Sequence, residues 1–227
     1  MKHNYTKLIG IALMWILACM TAQAKDKTTA YEADIYLANG TVKHSDNFII
    51  PRGCAAISFT YKAQDVVVVE PNNEGKLEEV TMESDAVDYF ICWNKSNPEA
   101  KHIFRKIYIT KSGKQRGWAT LEKAGEKGMV YGLAPVYYIE PSGLLILQGE
   151  QNRPPLTYFI FEGDEYATQV RYFNGGWEMW TRKWAAKSIF KGDEKMIKEV
   201  TSGKYKPEDL QYVLDNYKRP TPLKLDK

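Results

Sequence analysis

The chain has 227 residues, with 31 Lys and Arg against 28 Asp and Glu, and 44% of its residues are hydrophobic. It is long enough to build one domain with a substantial core. A formal charge of only +3 gives the whole molecule little electrostatic pull toward nucleic acid or an anionic membrane.

Residues 1–24 read as an export signal. Lys2 and Lys7 form a positive start, residues 8–18 are an unbroken apolar run, and Ala22-Gln23-Ala24 is a small-residue cleavage site. The run is too short for a bilayer span, which needs about twenty residues. Ile16-Leu17-Ala18-Cys19 is the competing signal, a lipoprotein box in which Cys19 would be lipidated; the bulky Leu17 argues for soluble cleavage instead. The expected location is therefore periplasmic or secreted, with a membrane-anchored lipoprotein through Cys19 as the alternative. The mature chain keeps roughly 200 residues, still enough for one good core. It also keeps Cys54 and Cys92, which could pair as a disulfide in an oxidising compartment or pack as buried thiols.

From Tyr31 onward the chain reads as strands. Residues 35–38 and 42–44 flank Asn39-Gly40, a hairpin signal. Residues 48–50 end at Pro51, residues 56–61 alternate, and residues 66–69 are a β-branched run suited to burial on both faces. Further strands are predicted over 77–82, 87–93, 103–110, 116–121, 129–133, 136–140, 144–148, 157–161 and 166–173, separated by turn-forming clusters. Asn174-Gly175-Gly176 then predicts a last hairpin that pairs residues 170–173 with 177–180. The spacing of Trp177, Trp180 and Trp184 at i, i+3, i+7 is the competing pattern, one face of a single helix.

Helices follow. Thr181 is the expected cap of a helix over 182–190, and Asp193 that of a helix over 194–201. Pro207 suits a first helical position, with Leu210, Val213, Leu214 and Tyr217 recurring on one face. Such short helices cannot stand alone and must pack on the body. The predicted fold class is mainly β: an antiparallel β-sandwich or barrel-like sheet capped by two or three short C-terminal helices. Residues 25–180 form the β-rich body, 181–217 the helical cap and 218–227 a flexible tail.

Asn94-Lys-Ser-Asn-Pro-Glu-Ala-Lys-His-Ile-Phe-Arg105 resembles a segment of uncharacterised secreted proteins of gut Bacteroidetes. The opening Leu37-Ala-Asn-Gly-Thr-Val42 and the tail from Trp184 through Tyr217 are similar to theirs as well. The resemblance implies export and a β-rich body with a C-terminal helical segment. It carries no assigned activity and no catalytic residue.

The chemistry-bearing residues are few. The mature chain holds His44 and His102, without a Gly-x-Ser-x-Gly elbow, so no nucleophile–base constellation is legible. Cys-x-x-Cys, His-x-x-x-His, P-loop and dinucleotide-binding patterns are missing from the sequence, and no metal or cofactor is expected. The acidic cluster Glu162-Gly163-Asp164-Glu165 reads as a hairpin turn. Glu70, Glu140, Glu150 and Glu162 end or follow strands, where a glycan-acting hydrolase would carry its two carboxylates. Aromatic side chains are the stronger lead. Tyr137, Tyr138, Trp177, Trp180 and Trp184 are the candidate binding residues, because flat amphipathic rings grip sugars or protein partners at low entropy cost. The expected function is an exported, envelope-associated, non-catalytic protein that binds an envelope protein or glycan. The hydrolase is the alternative.

Overall fold

The computed structural model describes residues 28–53, 55–57, 60–150, 153–170 and 176–226, with no side chain described between 54 and 61. The predicted signal segment, Cys19, Cys54 and the Asn174-Gly175 turn lie outside the described residues. The architecture is mainly antiparallel β, 41% strand, with three short helices at the C-terminus, and its sheets do not close into a barrel.

The strands are β1 (Tyr31–Leu37), β2 (Val42–Ser45), β3 (Phe48–Ile49), β4 (Ala55–Ile57), β5 (Thr60–Lys62), β6 (Val66–Pro71), β7 (Leu77–Met82) and β8 (Val87–Asn94). After them come β9 (His102–Tyr108), β10 (Arg116–Ala124), β11 (Gly128–Leu133), β12 (Val136–Ile139), β13 (Leu145–Gln148), β14 (Leu156–Phe161) and β15 (Thr168–Val170). The helices are α1 (Lys183–Ile189), α2 (Glu194–Thr201) and α3 (Leu210–Asn216). Eight strands form the main sheet in the order β15-β14-β11-β10-β9-β8-β1-β2, every neighbour antiparallel.

One face of that sheet carries two separate coverings. Over β1, β8, β9 and the start of β10, the small sheets pack through Phe48, Val66, Val68, Tyr137 and Ile139 against Ile35, Phe90, Phe104 and Trp118. Over β11, β14 and β15, the helices pack through Ala186, Ile189, Ile197, Val200, Val213 and Leu214 against Val130, Phe159, Phe161 and Val170. The opposite face has its own buried group, centred on Ile107, Ala119, Tyr131 and Tyr158. Period-two alternation accounts for this division: Phe159 and Phe161 face the helices, while Tyr158 and Ile160 face away.

Several expectations hold and several need correction. The Asn39-Gly40 hairpin joins β1 to β2, with Gly40 at φ 84. The Asp193 side chain caps α2 by accepting from the Met196 amide at 2.9 Å. The stretch 56–61, read as one strand, is instead part of the paired β4 and β5. Trp177–Trp180 does not form the returning strand of a hairpin, and the three tryptophans do not share one helix: Gly176–Met179 is a 3-10 turn, and α1 begins only at Lys183. Core burial overrides local turn propensity there, because the 3-10 turn drives Trp180 fully inside. Thr181 does not cap α1; Arg182 holds the N-cap position and makes no side-chain cap bond.

The segment after α3 was expected to be a flexible tail, yet hydrogen bonds fasten it to the body. Glu165 donates its amide to the Leu223 carbonyl, and the Leu223 and Asp226 amides donate to Asp164 and to the Lys111 carbonyl. Arg219 is buried within that segment. Among the described residues no helix is long and apolar enough to cross a membrane.

Candidate functional site

The five aromatic candidates separate into core and surface. Trp180 is fully buried in the helical core and donates its indole N–H to the Pro207 carbonyl at 3.2 Å. Tyr137 is also core: its hydroxyl donates to the Trp118 carbonyl at 2.6 Å and accepts from the Ala134 amide at 2.9 Å. Neither presents a ring to a ligand, which corrects the expectation for both. Tyr138 and Trp184 are exposed, at 45% and 41%. They stand over different parts of the sheet, Tyr138 on β12 beside Tyr31 and Trp184 on α1. Trp177 is half-buried against the helical core.

The seam between the two coverings holds a site that the aromatic pattern does not disclose. In β10 the register against β11 shifts between Leu121 and Lys123, so Glu122 is the extra residue of a bulge. Bulges of this kind break the in–out alternation and re-aim side chains. Lys123 pairs with Val130, a residue of the helix-covered face, and its Nζ lies 4.9 Å from the centre of the Trp177 ring. Glu122 reaches the same face. A Cβ added to Gly132 would stand 2.3 Å from Glu122 Oε1 and 2.5 Å from Leu147 Cδ2. Gly132 is thus the floor that lets the carboxyl and the β13 leucine approach the sheet.

Glu122 is exposed, yet nearby protein desolvates its carboxyl enough to raise it above the ordinary range. The shift has no charged or hydrogen-bonding cause: among the described residues Glu122 makes no ion pair and no hydrogen bond, including with neighbouring Lys123. The bulge thus leaves an unpaired carboxyl on the Leu147 side and an ammonium held against Trp177. An acid in this setting can accept from a donor-rich ligand or exchange a proton with one.

Most of the other candidates are engaged elsewhere. Glu70 pairs with Lys43 at 2.9 Å, Glu150 with Arg52 at 2.7 Å, and Glu140 accepts from Ser142 Oγ at 3.2 Å. Glu162 is exposed in its turn. Asp164, in the acidic cluster, is the buried partner of Arg219, which makes that cluster an anchor for the C-terminal segment. His44 sits between Asp34 and Asp46 at 2.8 and 3.2 Å, and the hydrogen bond to Asp34 raises its pKa. His102 contacts the Gly143 carbonyl and ties β9 to the β12–β13 turn. Cys92 is a free thiol buried in β8, and burial pushes its pKa well up. Among the described residues no group of three or more His, Cys, Asp or Glu is placed to hold a metal ion.

The chain matches no protein-family model, no curated protein and no solved structure. The site must therefore be read from its own geometry. Sequence reasoning missed Glu122, Lys123 and Gly132, because a bulge in a strand leaves no compositional mark. The one available hint was Leu121-Glu122-Lys123-Ala124, where the apolar alternation of β10 lapses before the turn.

Proposed function

We propose that this protein is an exported, envelope-associated binding protein without a catalytic role, and that its ligand occupies the seam between the β12–β13 hairpin and the helical cap. One observation carries the reading: an acid and a base, Glu122 and Lys123, are turned onto one sheet face by a bulge and left unpaired with each other. An acid and a base set side by side on one face without engaging each other are both available to a partner supplied from outside.

The glycan-hydrolase reading has less support. It needs two carboxyls facing each other at about 5–9.5 Å. Three of the four strand-end acids proposed for it are occupied by Lys43, Arg52 and Ser142. Glu122 by itself could hold a proton but supplies no second carboxylate.

The binding reading is tested with isolated envelope material, separated into glycan and protein fractions and incubated with the purified protein. Wild type is expected to co-sediment with one fraction, and Gly132→Ala, which fills the floor, to lose that association. Equal retention of both proteins would refute the seam as the site. Export is checked by the mass of the native N-terminus. A start at Lys25 supports soluble release, a diacylated Cys19 supports lipoprotein anchoring, and retention of Met1 refutes both.

A further inference from the structure

We propose that two copies of this chain meet through the open sheet face formed by β1, β8 and the start of β9, about a two-fold axis running along β8. This surface lies on the opposite face of the main sheet from the seam and does not depend on it. The first support is the sequence of β8. Tyr89-Phe90-Ile91-Cys92-Trp93 is apolar toward both faces, the pattern of a strand covered on both sides, whereas a strand open to water on one side alternates. Phe90 and Cys92 are buried under the small sheets. Tyr89 and Ile91 point the other way, where Tyr89 pairs with Tyr36 of β1 and Ile91 with Ile103 of β9. All four stay partly exposed, and none packs into any of the three core groups.

The second support is the arrangement of charge. Trp93 lies between an acid of β1 and a base just before β9: its indole N–H donates to Glu32 at 3.0 Å, and Lys101 Nζ is 4.5 Å from its ring centre. Farther along the same face, Tyr89 lies between the Tyr36 ring, stacked at 4.1 Å, and the Arg105 guanidinium at 5.3 Å. The acids therefore stand on one flank of β8 and the bases on the other. A two-fold along β8 lays β1 of each copy over β9 of its mate. Glu32 then meets the other copy's Lys101, Tyr36 meets the other copy's Arg105, and Ile91 meets its own counterpart on the axis. Among the described residues neither Lys101 nor Arg105 is in an ion pair within the chain.

Other partners fit this face less well. Trp93 is 5% exposed under Lys101, and Tyr89 is held between Tyr36 and Arg105, so neither offers a free ring face to a sugar. Nucleic acid would meet Glu32 and Asp34. Strands about 4.8 Å apart and about five residues long make a patch of a few hundred Å² per copy. That is small for an obligate dimer and fits a reversible one.

The test is sedimentation equilibrium of the purified protein from about 5 μM to about 1 mM, where a monomer–dimer midpoint is expected. Glu32→Lys and Lys101→Glu each set like charges opposite one another and should each weaken the dimer by at least about tenfold. Mixed in equal amounts, the two variants restore opposite charges at both contacts and should associate with each other about as tightly as wild type does with itself. Damage to the fold by either substitution would not be repaired by mixing. Wild type that stays monomeric at the highest concentration refutes the dimer. A dimer that both substitutions leave intact, or a mixture that associates no better than either variant alone, refutes this face as the interface. Gly132→Ala should keep the dimer, so this proposal and the seam reading fail separately.

Discussion

Arg219 offers the sharpest test of how the C-terminal segment is held. Its side chain is 1% exposed and that of its partner Asp164 is 0% exposed, with Nε 3.2 Å from the carboxylate. The rest of the guanidinium donates to the Ile189 carbonyl at 2.8 Å, the Lys191 carbonyl at 3.1 Å and Thr168 Oγ1 at 3.4 Å. Arg219→Met keeps much of the side-chain volume but leaves a buried carboxylate without its cation and carbonyls near the end of α1 without their donor. Breaking a buried pair from one side costs about 3–5 kcal/mol. For a chain near 200 residues, each kcal/mol lowers Tm by about 2–4 °C, so a fall of about 6–20 °C is expected by calorimetry. Arg219→Lys keeps the charge but loses the planar fork that serves several acceptors at once, and should fall between wild type and Met. In a cycle with Asp164→Asn, the double variant should lose less than the sum of the singles. A loss under about 1 kcal/mol for Arg219→Met would refute the reasoning, because such a value belongs to an exposed pair.

Three further outcomes follow from the same hydrogen-bond and charge accounting. Tyr137→Phe removes the hydroxyl shared by Ala134 and Trp118 and leaves buried backbone groups unpaired, for a loss of about 1–3 kcal/mol in urea unfolding. Asp193→Ala removes the α2 cap and the acceptor of the Tyr217 hydroxyl, and should cost about 0.5–2 kcal/mol, with faster amide exchange at Met196. Glu122 has a folded pKa raised above its unfolded value, so between the two values the folded state holds the extra proton and stability declines as pH rises. Glu122→Gln should match wild type below that window and exceed it above, as read from urea midpoints across pH; parallel curves would refute the desolvation of the carboxyl.

Much of the body was legible because strands announce themselves through alternation and turns through glycine. The Asn39-Gly40 and Ser112-Gly113 turns, the valine run of β6 and the Asp193 cap all follow from local rules. Two of the misreadings share one cause, which is tertiary contact overruling local pattern. Asn174-Gly175-Gly176 has hairpin chemistry, but Trp180 gains more by entering the core beside Phe190 than by facing outward on an edge strand. Residues 218–226 have a tail's composition, with two prolines and scattered lysines. Their order comes from Asp164 and Glu165, more than fifty positions earlier in the chain.

The seam was illegible for a related reason, and Tyr137 shows how it is built. After Leu133, β11 parts from β10, and Gly53 fills the ladder by accepting from the Trp118 amide at 2.8 Å and donating to the Ala134 carbonyl at 3.1 Å. The Tyr137 hydroxyl fastens that split from within, and the chain then turns back over the sheet as β12 and β13, which brings Leu147 above Gly132. The helices belong to a different cluster from that hairpin, and α3 is fixed where the Lys127 amide donates to the Leu214 carbonyl and Gly125 allows backbone contact. Two coverings anchored at separate points leave the bulge of β10 between them. Tyr137, expected as a binding aromatic, therefore acts on the seam indirectly: it sets the hairpin that supplies one wall. Its loss should loosen that wall along with the core.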